Sequence, residues 1–505
     1  MRLGIDFGTT RVVVAAVDRG NYPVVTFEAP AGEGREWYPS LLALRDAELR
    51  AGHDAEIALA GPGWEPLRSL KRYLATMGPG DSIRGRPVAE LTAGFLGALR
   101  EALLSRSNLR ARRHEPIEVA IAVPANAPAN QRLITADAFV AAGFRVVRIL
   151  DEPSAAGLEY AWRRPADAQV RRRHVGVYDL GGGTFDASII AMGDALHEVI
   201  TTEGVSELGG EDFDATLLAL ACRAAGRVDP APGPERDRLL EVCRQEKERI
   251  GAATRRLSLD LLGDGAGARI EIEDYEAGLR PLIERSLDAL ETALARAAKQ
   301  AGQEMERHTV IYQVGGGSQL PAVGRALRDR FGRHVWRSPY PHASVAIGLA
   351  IAAEGAQSPR IAGRLTRHFG VWRDRDAGRA ASFDVVFEKD TPLPARVGAD
   401  RLVRVRRYRA HHNVGHFRFV ECSRFDGDAP GGDVTPWAEV LAPLVADLRD
   451  RPLDAVAVRR FPEPGDEVEE RYRCDANGVF EVEIENLTAG YRHTYRPTAR
   501  PRRRG

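Results

Sequence analysis

The sequence predicts a two-lobed α/β domain followed by a smaller, mostly-β domain. Three observations carry this. Apolar strand-like runs alternate with helical patterns over residues 1 to 357. One Asp–Gly–Thr pattern occurs twice within that stretch. Beyond about residue 370 the helical spacing gives way to strict alternation. At 505 residues the chain is also too long for one hydrophobic core.

The first element is Ile5-Asp6-Phe7-Gly8-Thr9-Thr10, which runs into the strand Val12–Val17. Glu118–Val123, Val175–Tyr178 and Val310–Val314 read as further strands. Tyr178-Asp179-Leu180-Gly181-Gly182-Gly183-Thr184-Phe185-Asp186 repeats the opening pattern and runs into Ala187–Ile190. Leu279, Leu282, Ile283, Leu287, Leu290 and Leu294 recur at helical spacing, so Tyr275 to Gly302 is expected as an amphipathic helix. A third glycine loop, Val314-Gly315-Gly316-Gly317-Ser318, lies between a strand and the helical pattern Leu320–Phe331. Gly355 to Pro359 reads as a linker.

In the C-terminal part, Leu402–Val405, His416–Phe419 and Phe480–Glu485 are expected as strands, and Asn477-Gly478 has hairpin-turn chemistry. Trp437 to Leu448 has helical spacing but contains Pro443, so it stays unassigned. The expected organisation is an ATPase domain over 1–357, a polar linker over 358–369, a β-sandwich-like substrate or partner domain over 370–496, and an Arg/Pro-rich tail over 497–505.

Composition excludes several function classes. The 71 Lys+Arg balance 71 Asp+Glu, which removes the electrostatic footprint of a general nucleic-acid binder. No apolar run of about 18 residues is present, so no membrane-spanning helix is expected. Leu3-Gly4-Ile5-Asp6 follows Met1 and Arg2 without an apolar leader, so a cytoplasmic location is expected. Cys222, Cys243, Cys422 and Cys474 form no C-x-x-C pair and read as buried thiols.

A hairpin tipped with Gly and Thr offers bare backbone N–H groups and hydroxyls to phosphate oxygens. Two such hairpins, one from each lobe, are suited to grip a polyphosphate from opposite sides. Asp6 and Asp179, near the strand ends, suit a hydrated Mg²⁺. Any one glycine loop is more simply a tight turn; three at strand ends make that reading insufficient. Lysine occurs only at positions 71, 247, 299 and 389, so each one is rare enough to examine individually as a compact point charge for a phosphate.

These motifs resemble the DnaK-type heat-shock chaperone family, built on the actin-like ATPase fold. The resemblance also rests on Leu150-Asp151-Glu152-Pro153-Ser154-Ala155-Ala156, on Val123-Pro124-Ala125 with Gln131-Arg132, and on Leu208-Gly209-Gly210-Glu211-Asp212-Phe213-Asp214. It implies ATP/ADP and Mg²⁺ as cofactors, with Lys71, Glu152, Asp179 and Thr184 catalytic. It further implies nucleotide contacts from Gly8, Thr9, Thr10, Gly181, Gly182, Gly183, Thr184, Lys247, Gly315, Gly316, Gly317, Gln319 and His342. Asp6, Asp179 and Asp186 would face the metal, mostly through water. Pro124 and Arg132 match a relay between domains, and Arg148 matches an arginine near the linker and J-domain surface.

The chain departs from that family on the adenine side. Arg244, Lys247 and Gly251 stand where the family has Glu, Lys and Ser. Gln319 replaces a stacking arginine, and His342 an acidic residue. Gly355 to Arg364 lacks the family's leucine-rich linker, and the helical lid expected to follow the β domain does not appear before the sequence ends near Tyr495.

The resemblance implies an ATP-dependent chaperone that binds unfolded or extended peptides, with a J-domain co-chaperone and an exchange factor as partners, and no nucleic acid or membrane. The competing reading is a regulatory or adaptor ATPase whose β domain binds one dedicated partner; a filament-forming actin relative is a third. His411, His412 and His416 read as polar loop or strand residues. The five arginines of residues 401–409 read as a solvated strand face, since residues 360–505 hold 27 Lys+Arg against 23 Asp+Glu. Cys243 reads as a core thiol.

Overall fold

The computed structural model describes the chain except residues 31, 78–80, 110–114, 165–173, 194–195, 262–266, 303–304, 306–308, 356–359, 376–378, 396–397, 399, 428 and 497–505. The centre of the expected linker and the C-terminal tail therefore lie outside the described residues. The chain divides into two compact units. One takes in residues 1–77, 82–125 and 138–361; the other joins residues 126–137 to the chain beyond 361.

The two largest sheets of the first unit share one central topology. The first sheet runs Arg145–Asp151, Glu118–Val123, Arg2–Phe7, Arg11–Ala16, Tyr38–Pro39. The second runs Val335–Arg337, Thr309–Val314, His174–Leu180, Phe185–Ala191, Leu196–Val205, Arg360–Ala362. In each, two parallel neighbours flank one side of the central strand and an antiparallel hairpin partner the other. The repeated motif occupies the same place in both, the turn between central strand and hairpin partner.

Helices Glu152–Arg163 and Ser344–Glu354 share one apolar core with both sheets, including Val13, Ala122, Val177, Ile190 and Val314. They cross at Gly348, where an added Cβ would lie 1.7 Å from the Ala155 carbonyl oxygen. That contact brings the backbones together and so sets the lobes at a fixed separation. A second core, under helices Gly210–Ala224, Pro234–Glu248 and Ile272–Ala301, completes the second lobe. The last of these starts three residues earlier than its leucine spacing suggests and accommodates Pro281. Cys243 is buried in this core, and burial pushes its thiol up to about 12, so it is a packing residue.

The stretch Arg360–Ala362 differs from expectation. It lies in the presumed linker, yet it forms the edge strand beside Leu196–Val205. At three residues it is too short to show alternation, although Ile361 is buried in the core. Arg148 Nη2 donates to the Ile361 carbonyl at 3.2 Å, which ties this strand to the first lobe.

The second unit contains two four-stranded antiparallel sheets. One runs Ala380–Phe387, His368–Arg375, Val414–Phe425, Pro430–Pro443; the other Leu402–Arg409, Glu467–Cys474, Phe480–Asn486, Tyr491–Tyr495. Phe369, Phe419, Trp437 and Phe480 interlock in the core between them. Trp437, in the segment left unassigned, sits on a strand. The register is unbroken from Ala438 to Pro443, and the helix-like spacing arises because the apolar pattern runs past the strand end into the turn beyond Pro443. A short 3₁₀ turn, Ala446–Leu448, follows. Gly478 takes a φ of +73° in the turn to Phe480–Asn486, as its Asn-Gly chemistry predicts. Among the described residues no helix is long and apolar enough to cross a membrane.

Candidate functional site

The two hairpin tips meet. A Cβ at Gly182 would lie 2.4 Å from Thr10 Oγ1, and one at Gly183 2.6 Å from Thr9 Oγ1. Any larger residue would wedge the lobes apart. The third glycine loop closes against the second hairpin: Gly315 has φ +87°, and a Cβ there would lie 2.5 Å from Asp179 Oδ1. Its N–H donates to the Pro341 carbonyl at 2.8 Å, which fixes the loop.

These three loops surround a cavity of about 910 Å³. Asp6, Gly8, Thr9, Thr10, Lys71, Glu152, Asp179, Gly181, Gly182, Thr184, Lys247, Gly315, Gly316, Gly317, Gln319 and His342 all line it. Two residues predicted for the site do not. Gly183 packs against Thr9, and its carbonyl accepts from Arg72 Nη2 at 2.9 Å, so it faces the joint between the lobes. Asp186 pairs with Asp179 across the hairpin but is turned inward, where Oδ1 accepts the Ala125 N–H at 3.0 Å. Its Oδ2 is buried without a partner.

Lys71 and Glu152 form a buried ion pair at the inner end of the cavity. Burial alone would lower the lysine, but Glu152 and Asp6 more than reverse this and hold its ammonium above the ordinary range. Burial raises Asp6 to about 7, with Lys71 opposing. Burial and then Glu152 raise Asp186 to about 8. Asp179 is pushed well above the carboxylate range by burial and by Glu152, Asp186 and Asp6. One lysine thus serves a group of carboxylates that calls for further positive charge.

The sign of the pH dependence follows. A carboxyl whose folded pKa is raised to about 8 holds a proton that the unfolded chain has released, so stability falls as pH climbs from about 4 to about 8. The Asp186→Asn protein is expected to lose melting temperature less steeply than wild type between about pH 5 and pH 8. Parallel slopes in ligand-free thermal melts would contradict this.

Mg²⁺ and a triphosphate suit this setting. The glycine tips supply backbone N–H groups, Thr9, Thr10 and Thr184 supply hydroxyls, and Asp6, Glu152 and Asp179 share one ammonium. Among the described residues no three His, Cys, Asp or Glu side chains converge closely enough to bind a metal directly. A hydrated Mg²⁺ would be held by Asp6 and Asp179 through its water.

At the other side of the cavity, Lys247 Nζ donates to the Gly210 carbonyl at 2.6 Å and pairs with Asp214 at 2.7 Å. Gln319 Oε1 accepts from Arg337 Nη2 at 3.2 Å, and His342 lies 3.2 Å from Glu36. Arg11 stacks over Trp37 at 4.2 Å and pairs with Glu248 at 2.5 Å. Asp214, Arg11, Trp37 and Arg337 line the cavity and were not singled out as site residues from sequence. Asp214 had a signal, since it ends the family-like segment Leu208–Asp214. Trp37 and Arg337 had none.

Ion pairs bridge the two lobes around this opening. Arg72 joins Glu211 and Asp212, Arg68 joins Glu241, and Arg11 joins Glu248. Ser69 Oγ also donates to Glu211.

A duplicated five-strand core with opposed Gly–Thr tips defines the two-lobed, actin-like ATPase fold. The model of the family described as Hsp70 protein matches residues 89–360. This chain belongs to the Hsp70 family. It is 31% identical over 381 residues to the chaperone protein HscA homolog of Pseudomonas fluorescens (strain SBW25). It is 32% identical over 369 residues to chaperone protein HscA of Escherichia coli O7:K1 (strain IAI39 / ExPEC). Each match covers 70% of this chain and 57% of the relative, so the chain spans a little over half the length of these proteins.

Proposed function

We propose that the protein is an ATP-dependent chaperone in which hydrolysis of Mg–ATP governs binding and release of extended peptide segments. The observation that carries this is the single cavity where both Gly–Thr tips, Lys71 and the carboxylates of Asp6, Glu152 and Asp179 converge. The names of the similar proteins, chaperone HscA and its homolog, support the same class.

In this reading the tips hold the β- and γ-phosphates by N–H and hydroxyl donors. Lys71 would contact the γ-phosphate and the attacking water and neutralise charge as it develops. Glu152 holds the Lys71 ammonium in place and orients the water. Asp6 and Asp179 would hold a hydrated Mg²⁺, which would supply phosphate orientation and further charge neutralisation. The catalytic work of the chain is positioning; it forms no covalent intermediate.

On the base side Gln319 replaces a stacking guanidinium, which costs about 1 kcal/mol. Calorimetric titration is expected to show ATP binding weaker than sub-micromolar, with little discrimination against GTP. Tight, strongly ATP-selective binding would contradict this.

A second reading, an adaptor ATPase with one dedicated partner, is favoured by the second unit. Its sheet Leu402–Tyr495 carries a ladder of Arg–Glu pairs, among them Arg407–Glu469, Arg471–Glu483 and Arg473–Glu481, in place of an apolar face. A peptide array probed with the full chain, with and without ATP, separates the two. Broad capture of apolar segments, released by ATP, supports the chaperone; capture of none supports the adaptor.

A further inference from the structure

On the Gln319 side the wall of the cavity is rich in hydrogen-bond donors. Arg325, Arg328 and Arg337 line it, and all three are exposed. Arg337 pairs in register with Gln313 on the neighbouring parallel strand, so the two side chains share one face of the sheet. Arg328 lies on the helix Pro321–Phe331 and folds back one turn. Its Nη1 is 3.5 Å, and the Gln313 amide nitrogen 3.8 Å, from where a Cβ on Gly324 would stand. Helical side chains lean toward the N-terminus, and this helix begins just after the third glycine loop, so Arg328 is aimed at that loop.

The carboxylates lining this side are already paired. Glu248 meets Arg11 and Arg244, and Asp214 meets Lys247. Arg325 reaches Glu276, whereas Arg328 and Arg337 pair with no carboxylate among the described residues. A guanidinium has no acceptor, so Gln319 must turn its oxygen to Arg337 and its amide N–H groups elsewhere. The Gln313 amide donates to the Ser318 carbonyl at 2.5 Å. What remains on offer here is two guanidinium forks and the Gln319 amide N–H groups.

We propose that Arg328 and Arg337 select the base of the bound nucleotide and favour guanine over adenine by reading its O6 and N7 edge. The proposal rests on the reading of the cavity as a nucleotide site: with the phosphates between the Gly–Thr tips, the base is the part left for this side. Guanine sets two acceptors, O6 and N7, next to each other, which a guanidinium fork matches. Adenine sets N7 next to an amino group, which would meet these arginines donor to donor. The N1–H and 2-amino group of guanine are left to water, which reaches this exposed wall. The inference goes beyond weakened ATP binding, because it names the nucleotide that the altered pocket suits.

The test is calorimetric titration of the full chain, with Mg²⁺ present, against ATP, GTP, inosine triphosphate, 7-deaza-GTP and ATP carrying an added 3′-phosphate. GTP and inosine triphosphate are expected to bind about tenfold more tightly than ATP. Inosine keeps O6 and N7 but lacks the 2-amino group, so it isolates the edge in question. 7-Deaza-GTP, without the N7 acceptor, is expected to lose most of the advantage. Arg328→Met combined with Arg337→Met is expected to bring the GTP-to-ATP affinity ratio to within about twofold of one. Both arginines are exposed, so the fold should survive the change. Arg328→Lys combined with Arg337→Lys keeps the charge without the fork and should abolish the preference as well. Equal binding of GTP and ATP, a preference that survives in the methionine or lysine variants, or tightest binding of the 3′-phosphorylated ATP would overturn the proposal; the last would assign the arginines to a second phosphate. ATP bound and hydrolysed without a preference for GTP sinks the base selection alone. Failure of every triphosphate to bind sinks the nucleotide-site reading and the proposal with it.

Discussion

Lys71→Ala is expected to reduce ATP hydrolysis by about 100- to 1,000-fold while ATP still binds. The reasoning runs from burial to charge. Lys71 is the lysine at the inner end of the cavity, its ammonium held by Glu152 and facing Asp6. In the proposed reading a ground-state phosphate would still be held by the Gly–Thr tips, so loss of Lys71 should remove little ground-state binding. The developing charge of the transition state loses its nearest fixed cation. Turnover should therefore fall with nucleotide affinity nearly unchanged. Lys71→Arg keeps the charge but not its position and should rescue little. Single-turnover hydrolysis alongside calorimetric binding reads both quantities. Normal turnover in Lys71→Ala would remove this residue from the mechanism.

Glu470→Ala is expected to destabilise the second unit by about 3–5 kcal/mol. Glu470 is fully buried and accepts both arms of the Arg373 guanidinium, at 2.7 and 2.6 Å. Tyr472 donates to the same carboxylate. Arg373 also reaches Asp384 at 3.3 Å, and Arg406 joins Asp384 at 3.1 Å. Removal of the carboxylate leaves the arginine desolvated with a weaker partner, which is costlier than the pair was worth. Glu470→Leu with Arg373→Met should restore most of the loss, because neither charge then remains buried. Chemical denaturation of the three proteins measures this. A Glu470→Ala loss under 1 kcal/mol would show that the pair is not desolvated as described.

The contrast between these two residues shows what sequence can carry. Lys71 was legible because lysine is rare here and because its neighbours match a family pattern. The hairpin tips were legible because Asp, Gly and Thr at a strand end have few other uses in common. Glu470 was not. It stands in Glu467-Val468-Glu469-Glu470, which reads as solvated, and its partner lies 97 positions away. Pairings over such distances are a property of topology, and local periodicity does not report them. The same holds for the lobe-bridging pairs of Arg68 and Arg72 and for Arg337 beside Gln319. The edge strand Arg360–Ala362 was hidden for a different reason: it has three residues, of which Ile361 alone is buried, too few to show a period beside a Gly-, Ser- and Pro-containing stretch. The strand carrying Trp437 was obscured because the apolar spacing runs past its end at Pro443 into a turn.

Asp186 is the instructive case among the carboxylates. Its place opposite Asp179 was predictable from the hairpin, but its direction was not. It faces the Ala125 N–H inside the lobe and acts on the cavity through charge, raising Asp179, with no contact of its own to the opening.

A crystal structure of the full chain with Mg²⁺ and a non-hydrolysable ATP analogue tests the central arrangement most directly. The β- and γ-phosphates should lie between residues 8–10 and residues 181–184, with a hydrated Mg²⁺ beside Asp6 and Asp179 and Lys71 Nζ within hydrogen-bond reach of the γ-phosphate. A nucleotide seated elsewhere, or phosphates that touch one hairpin and leave the other bare, would contradict the account.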